Sequence, residues 1–321
     1  MMMMIRMMIS SGKPRLPILR TPCSCRGESA NSITVVRVAR YVAIIASAVS
    51  AGHVVAAPQF TSGVNLVEVY ASVTDAEGNP MTGLAQSDFE LRENGVLQTI
   101  TNFTAGDFPL AVAIAIDRSF SVAGTKLSLA KAAAQAFLAE LRPEDEAMVI
   151  AVGSEVETLA PLSTDRTSQR DAIARVDAFG TTGLHDAIIH AIETVQPAKG
   201  RRALVVLSDG DDRYSQSSAA EVLDRARRSD VMVFPIAIGR TRPPLFAELA
   251  TLTGGRSSQA TDGAKLTETL RAIARELRRQ YLLGYTPARP PIAGSQEWRS
   301  ITVTVNNAGA HVRARDGYLI K

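Results

Sequence analysis

The sequence is poor in cysteine, and both of its cysteines, Cys23 and Cys25, lie close to the N-terminus. If this N-terminal part is removed, the remaining chain has no thiol, which excludes disulfide bridges and thiolate metal ligands. Stability must then come from the burial of apolar side chains. That is feasible for the roughly 260 remaining residues, because chains of this length bury most of their surface on folding.

The sequence also lacks a marked excess of charge of one sign. It has 35 Lys and Arg against 32 Asp and Glu, for a formal net charge of +3. The first 57 residues contain seven of the basic and one of the acidic residues, which leaves 28 basic and 31 acidic residues beyond them. A nucleic-acid-binding protein usually concentrates basic side chains on one face, so this slightly acidic remainder argues against a nucleic-acid partner.

Two motifs that mark common enzyme classes are missing. There is no G-x-x-x-x-G-K-[ST] phosphate-binding loop and no G-x-S-x-G segment. The first would cradle nucleotide phosphates, and the second would present a nucleophilic serine on a sharp turn. Their absence disfavours a nucleotide hydrolase of the P-loop type and an α/β-hydrolase.

The N-terminal region has the pattern of an export signal. Arg37 and Arg40 precede an apolar stretch over residues 41–57, which ends in small residues before Pro58. This pattern predicts cleavage near Ala57 and a periplasmic, cell-surface or secreted protein. An uncleaved membrane anchor is the alternative, since a spanning helix needs about 20 apolar residues and this stretch is close to that length. Residues 1–32 show no hydrophobic period and suggest that the gene start is placed too early.

Apolar runs and amphipathic stretches alternate over residues 107–280. This alternation predicts an α/β fold, a doubly wound and mostly parallel sheet with helices on both faces. In such a sheet, ligands bind beyond the carboxyl ends of the strands, at the point where the strand order reverses. The predicted strands are residues 110–116, 147–152, 203–207 and 231–238, and the predicted helices are residues 125–141, 167–176, 184–195, 219–228, 244–252 and 265–279.

The segments on either side of this region are β-like. Residues 64–103 carry strand and turn signals: residues 64–70 alternate polar and apolar side chains, and Asn94-Gly95 is a hairpin signal. Residues 281–321 contribute strands at 300–305 and 311–315, so we expect the two ends to pair as a small all-β module. Trp298 is expected in its core. The predicted organisation is a leader (1–57), an N-terminal β segment (58–106), the α/β domain (107–280) and a C-terminal β segment (281–321).

Oxygen-bearing side chains follow the predicted strands of the α/β domain. Asp117, Ser119 and Ser121 come directly after the first strand, Asp209 follows another, and Thr182 opens a helix between them. Carboxylate and hydroxyl oxygens suit Mg²⁺, with Mn²⁺ or Ca²⁺ as alternatives, whereas Zn²⁺ prefers His and Cys. Two carboxylates roughly cancel the charge of a divalent ion, and the hydroxyls add no charge. The bound metal would therefore stay electrophilic enough to favour one further anionic oxygen from a ligand.

The pattern Asp117-x-Ser119-x-Ser121, with Thr182 and Asp209 following, resembles the metal-ion-dependent adhesion site of von Willebrand factor type A domains. The resemblance covers residues 108–280 and implies a six-stranded Rossmann-like sheet with one antiparallel edge strand, for which residues 156–159 are the candidate. It also implies that residues 117, 119, 121 and 182 bind the metal directly or through water, that Asp209 acts through water, and that a protein ligand adds a Glu or Asp. The flanking segments resemble an exported bacterial subfamily. Phe120 departs from the family pattern, since many relatives have a small residue there.

These observations together predict a metal-dependent protein-binding module rather than an enzyme. Its expected partner is a protein that presents Asp or Glu, with no nucleic acid and with membrane contact only through an uncleaved leader. Two alternatives stay open. One is a structural envelope protein with a vestigial metal site. The other is a metal-dependent hydrolase or phosphatase, which would place an acid/base carboxylate where this chain has Ser119.

Charged groups outside the predicted site are expected to be solvated. Asp211 and Asp212 extend the loop after Asp209, and a basic stripe runs along the last predicted helix at Arg271, Arg275, Arg278 and Arg279. Loop carboxylates and helical charge stripes usually face water.

Overall fold

The computed structural model describes residues 66–106, 108–290 and 296–320. The predicted leader, its cleavage site near Ala57, the two cysteines and the suggested later gene start lie outside the described residues. Among the helices in the described ranges, none has both the length and the apolar character needed to cross a membrane.

The secondary structure of the described residues alternates strands and helices in its central part. The segments at both ends consist of strands, with one short 3-10 helix at Gln86–Asp88. The strands are β1 (Val67–Thr74), β2 (Phe89–Glu93), β3 (Val96–Gln98), β4 (Ile100–Ala105), β5 (Leu110–Asp117), β6 (Glu146–Val152), β7 (Val156–Ser163), β8 (Arg201–Ser208), β9 (Met232–Ile238), β10 (Ser258–Ala260), β11 (Tyr281–Tyr285), β12 (Trp298–Val305), β13 (His311–Arg313) and β14 (Gly317–Leu319). The helices are α1 (Thr125–Glu140), α2 (Arg166–Ala174), α3 (Leu184–Val195), α4 (Ala219–Arg227), α5 (Pro244–Thr253) and α6 (Gly263–Arg278).

A six-stranded sheet in the order β10-β9-β8-β5-β6-β7 forms the centre of the α/β region. Every residue of β5 is buried, because helices cover both faces of the sheet. Val112, Ile114 and Ile116 pack in one apolar cluster with α1, α2 and α6. Ala113 and Ala115 point the other way and pack with α3, α4 and α5. The predicted doubly wound fold class is therefore confirmed.

The edges of this sheet show what the sequence pattern could and could not reveal. The candidate antiparallel edge strand at residues 156–159 is β7, which pairs antiparallel with β6 and continues to Ser163. The opposite edge strand, β10, was not predicted. Its three residues, Ser-Gln-Ala, carry no apolar run, and they are a strand only because they pair with β9.

Two four-stranded antiparallel sheets, β13-β1-β11-β4 and β14-β12-β2-β3, flank the α/β region. They share one apolar core that includes Val69, Leu91 and Leu283, so we call them the sandwich. The β2–β3 hairpin turns at Asn94 and Gly95, which have φ of 48° and 77°, as a two-residue hairpin turn with both central residues left-handed requires. Strands β12 and β13 follow one another in sequence but lie in different sheets.

The sandwich contacts the α/β region near the amino ends of its central strands. Arg201, the first residue of β8, is buried, and its guanidinium carbon lies 5.7 Å from the ring centroid of Tyr70 in β1. Glu276 of α6 is buried and accepts a hydrogen bond of 3.0 Å from Ser72. Trp298 was expected in the sandwich core, but it packs against the apolar cluster of α3, α4 and α5. The carboxyl ends of β5 and β8 lie roughly 23 Å away, which is the length of an eight-residue strand.

Candidate metal centre

The two central parallel strands, β5 and β8, end in polar residues at the same edge of the sheet. Their register pairs Ile116 with Leu207, so Asp117, the last residue of β5, is level with Ser208, the last residue of β8. Asp209 follows immediately. The chain leaves β5 toward β6 on one side and enters β8 on the other, which makes this edge the switch point of the sheet.

Asp117 is held rigidly in a buried position, with only 1% of its surface exposed. Its Oδ1 accepts a hydrogen bond of 2.9 Å from the amide of Ser119, and its Oδ2 accepts one of 2.5 Å from the hydroxyl of Ser208. Burial raises the pKa of the Asp117 carboxyl, the bonds from Ser208 and Ser119 lower it, and the nearby charge of Asp209 raises it again; the net shift is upward. A cation at this edge would favour the ionised form of the Asp117 carboxyl.

Asp209 has one carboxylate oxygen paired and one unpaired. Its Oδ2 lies 3.6 Å from the ammonium of Lys126, which also donates a hydrogen bond to the carbonyl of Ser121. Its Oδ1 is buried and accepts no hydrogen bond from any residue that the structure describes. A buried carboxylate oxygen without a partner is costly, because it has lost water and gained nothing in exchange.

The three predicted hydroxyl ligands lie on loops that are hydrogen bonded to one another. The hydroxyl oxygens of Ser119 and Ser121 are 3.0 Å apart. The amide of the residue between them, Phe120, donates to the carbonyl of Gly180, two residues before Thr182. Thr182 is buried, and its carbonyl accepts hydrogen bonds from two amides in the loop that follows Asp209. The fold thus brings the three loops that carry the five predicted site residues to one edge.

The donor chemistry of this edge fits a hard divalent cation. It offers two carboxylates, one of them with an unpartnered buried oxygen, and three neutral hydroxyls. Such all-oxygen sets suit Mg²⁺, Mn²⁺ and Ca²⁺. Over the described part of the chain, no three His, Cys, Asp or Glu side chains group closely enough to hold a metal by themselves, so hydroxyls would have to complete the set.

Not all of the charged groups outside the set are solvated as expected. Asp211 is exposed and paired with Arg213, in line with the prediction. For Asp212 the expectation was wrong, because its Oδ1 accepts one hydrogen bond from the amide of Leu184 and one from the hydroxyl of Ser215, at 2.7 Å each. Since Gly183 has no side chain to cap α3, Asp212 caps that helix from another loop. In the basic stripe, Arg278 binds the buried carboxylate of Asp145.

Sequence reasoning missed two residues at this edge, Ser208 and Lys126. A serine that ends an apolar strand directly before the candidate carboxylate was the available signal for Ser208. Lys126 lies in the first turn of α1, and only the helix direction brings its ammonium to Asp209.

We predict that Ser208→Ala lowers the affinity for a divalent metal by about 10- to 100-fold, as is common when the partner of a ligating carboxylate is removed. The reason is that Asp117 loses the hydrogen bond that orients its Oδ2. Isothermal titration of metal into the chelator-treated chain would measure the change. Ser229→Ala, which removes a buried serine hydroxyl far from this edge, is the matched control. Equal metal affinity in the two variants would contradict the positioning role.

Comparison with known proteins shows which family this part of the chain resembles. The family model of the von Willebrand factor type A domain matches residues 112–211, a span that contains all five predicted site residues. The resemblance found in the sequence is confirmed. Domains of this family commonly mediate metal-dependent protein interaction.

Individual relatives are distant. Inter-alpha-trypsin inhibitor heavy chain H4 of Bos taurus is 26% identical over 134 residues, which are 38% of this chain and 15% of that protein. A von Willebrand factor type A structure from Catenulispora acidiphila is 15% identical over 81% of this chain and 74% of that chain, with a TM-score of 0.49. Proximal thread matrix protein 1 from the mussel byssus was solved with a zinc-occupied metal-ion-dependent adhesion site (MIDAS) motif. It is 14% identical over 59% of this chain and 50% of that chain, with a TM-score of 0.49.

Proposed function

We propose that this chain is an exported, divalent-metal-dependent protein-binding module that captures an Asp or Glu side chain of a partner protein. The observation that carries the proposal is the unpartnered, buried Oδ1 of Asp209 beside the buried carboxylate of Asp117, at the switch point of the sheet. Export is proposed from the leader pattern of residues 41–57.

Each residue of the set has a distinct part in this proposal. Asp117 supplies the fixed negative charge, because two hydrogen bonds hold its carboxylate in place. Ser119, Ser121 and Thr182 supply oxygens without adding charge. Asp209 supplies the second negative charge, directly or through water. The two carboxylates would nearly neutralise a divalent ion held by this set, while the hydroxyls would add no charge. The ion would therefore still accept an anionic oxygen at an open coordination position, which a partner carboxylate would provide.

Mg²⁺ is the ion that we expect, with Mn²⁺ and Ca²⁺ as alternatives. The sandwich contacts the α/β region near the amino ends of β5 and β8, at the opposite end of these strands from the candidate metal centre, as expected of a platform for a binding domain. A hydrolase is less well supported, because Ser119 stands at the position where an acid/base carboxylate would be needed and a serine cannot act as a general acid near neutral pH. A structural envelope protein would be indifferent to chelation.

The test uses the full chain and two backbone-cyclised, glycine-rich peptides, one with a single Asp and one with Asn in its place. Mg²⁺, Mn²⁺, Ca²⁺ and Zn²⁺ are first titrated separately into the chelator-treated chain. We expect saturable binding of one ion, and binding of the Asp peptide only when the ion is present. The Asn peptide should not bind, because a neutral amide cannot supply the anionic oxygen. Metal binding without any preference for the Asp peptide would contradict the proposal.

A further inference from the structure

Exposed aromatic rings are concentrated around the candidate metal centre. The large hydrophobic side chains that are exposed in the described residues are Leu66, Val96, Leu97, Phe120, Phe179 and Tyr214. Phe120, Phe179 and Tyr214 expose 67%, 57% and 59% of their surface. All three belong to the loops that also carry the predicted metal ligands. Apolar side chains gathered on one exposed surface usually mark a contact site, and aromatic residues are enriched in protein interfaces.

The backbone at each of these rings is fixed to a neighbouring loop. Phe120 lies between Ser119 and Ser121, and its amide donates to the carbonyl of Gly180 over 3.1 Å. The amide of Phe179 donates to the carbonyl of Arg118 over 2.7 Å, and that of Tyr214 to the carbonyl of Thr182 over 3.0 Å. We call these three rings the aromatic rim. Rings on a fixed backbone lose little conformational entropy when they bind, which makes them efficient anchors.

Two arginines next to the aromatic rim, Arg118 and Arg213, are paired with carboxylates of the protein itself. Arg118 pairs with Glu157 over 3.0 Å, and its guanidinium carbon lies 5.6 Å from the ring centroid of Phe179. Arg213 pairs with Asp211 over 2.5 Å in the residues just before Tyr214. Further acidic side chains of a partner would therefore gain little from these two arginines, beyond the carboxylate that the metal takes. Apolar side chains would gain contact with the rings.

We propose that the partner presents its Asp or Glu on a segment with apolar side chains within one or two positions on each side, and that the aromatic rim binds these flanking side chains. The inference rests on the proposed function, because the carboxylate on the metal brings the flanks to the rings. It adds a sequence preference that the metal alone does not impose.

The test compares two backbone-cyclised peptides with one Asp each, flanked by Leu and Phe in one and by Ser on both sides in the other. Both are titrated into the Mg²⁺-loaded full chain and into a variant with Phe120→Ser, Phe179→Ser and Tyr214→Ser. Val96→Ser with Leu97→Ser is the matched control, since these side chains are about as exposed but lie in the sandwich. We expect the apolar-flanked peptide to bind about tenfold more tightly, the gain from partly burying one large apolar side chain.

This preference should disappear in the rim variant and persist in the control, while Mg²⁺ titration gives the same metal affinity in all three proteins. Equal, chelator-sensitive binding of both peptides to the unmodified chain would overturn the rim proposal and leave the metal-dependent function standing. If neither peptide bound the unmodified chain while Mg²⁺ was bound to it, the proposed function and the rim proposal would both be overturned. Binding of the apolar-flanked peptide that survives chelation would also overturn the rim proposal, because the carboxylate would then be unnecessary.

Discussion

Asp117→Asn is expected to reduce the affinity of the chain for a divalent metal by at least about a hundredfold, more than the 10- to 100-fold that loss of an outer partner typically costs. Asp117 is buried, and two hydrogen bonds hold its carboxylate in place at this edge. The amide has the same shape but no negative charge, so the substitution removes one of the two negative charges that attract a divalent ion to this set. Capture of the Asp peptide should disappear with the metal.

The same substitution should leave the fold intact. The amide oxygen can still accept the hydrogen bond from the backbone of Ser119, and loss of one charge relieves its repulsion with Asp209. Without metal, the urea midpoint should therefore equal or exceed that of the unmodified chain. With Mg²⁺ at a hundred times the dissociation constant, the unmodified chain should gain about 2.7 kcal/mol of stability and the variant nothing.

Asp211→Asn is the matched control for this experiment, because Asp211 is an exposed carboxylate on the loop that follows Asp209 and is paired with Arg213. We expect it to keep the metal-induced stabilisation. If Asp117→Asn and Asp211→Asn bound Mg²⁺ equally well, the assignment of Asp117 as a ligand would be wrong, whatever happened to peptide binding.

Glu93→Ala in the sandwich is expected to lower the free energy of unfolding by about 3–5 kcal/mol, the usual cost of removing one partner from a buried ion pair. Glu93 accepts hydrogen bonds from Arg299 at 2.8 Å, Tyr285 at 2.7 Å and Tyr318 at 2.8 Å. Arg299 is fully buried. The substitution would leave its guanidinium without its closest carboxylate and two phenol hydroxyls without their acceptor.

Glu90→Ala is the control, since Glu90 lies on the same strand, β2, and pairs with Arg92 in an exposed position. Exposed ion pairs contribute at most about 1 kcal/mol, so its urea midpoint should barely change. The urea midpoints of the two variants can be compared if their unfolding curves have equal slopes, because a changed midpoint at constant slope reports stability alone. Equal shifts in the two variants would show that the buried pair contributes no more than the exposed one.

The same cluster predicts a loss of stability at alkaline pH. Burial, and then the hydrogen bond to Glu93, raises the pKa of Tyr318 to about 12. A tyrosine with a raised pKa favours the folded state while it is protonated. Its contribution is therefore complete below pH about 10 and falls as the pH rises toward 12. Replacing the phenol by Tyr318→Phe should weaken this alkaline decline in urea midpoints.

Much of the architecture was determined by the sequence alone. Strands β5, β6, β8 and β9 are buried on both faces, so they had to be continuous apolar runs, and such runs are visible without a structure. The positions of Asp117 and Asp209 after two such runs, with Ser119, Ser121 and Thr182 at family spacing, were sufficient to predict a metal centre at one edge. These features depend on neighbours in the chain, which periodicity and motif spacing report directly.

Other features were decided only by tertiary structure, because they depend on residues that are remote in sequence. Short β10 is a strand through pairing with β9, Asp212 is an N-terminal cap through the approach of its loop to α3, and Trp298 packs on the α/β core rather than in the sandwich. Ser208 and Lys126 reach the candidate metal centre in the same way. Local pattern predicts which side chains must be buried or could bind a metal, but the strand order and the packing of loops choose their partners.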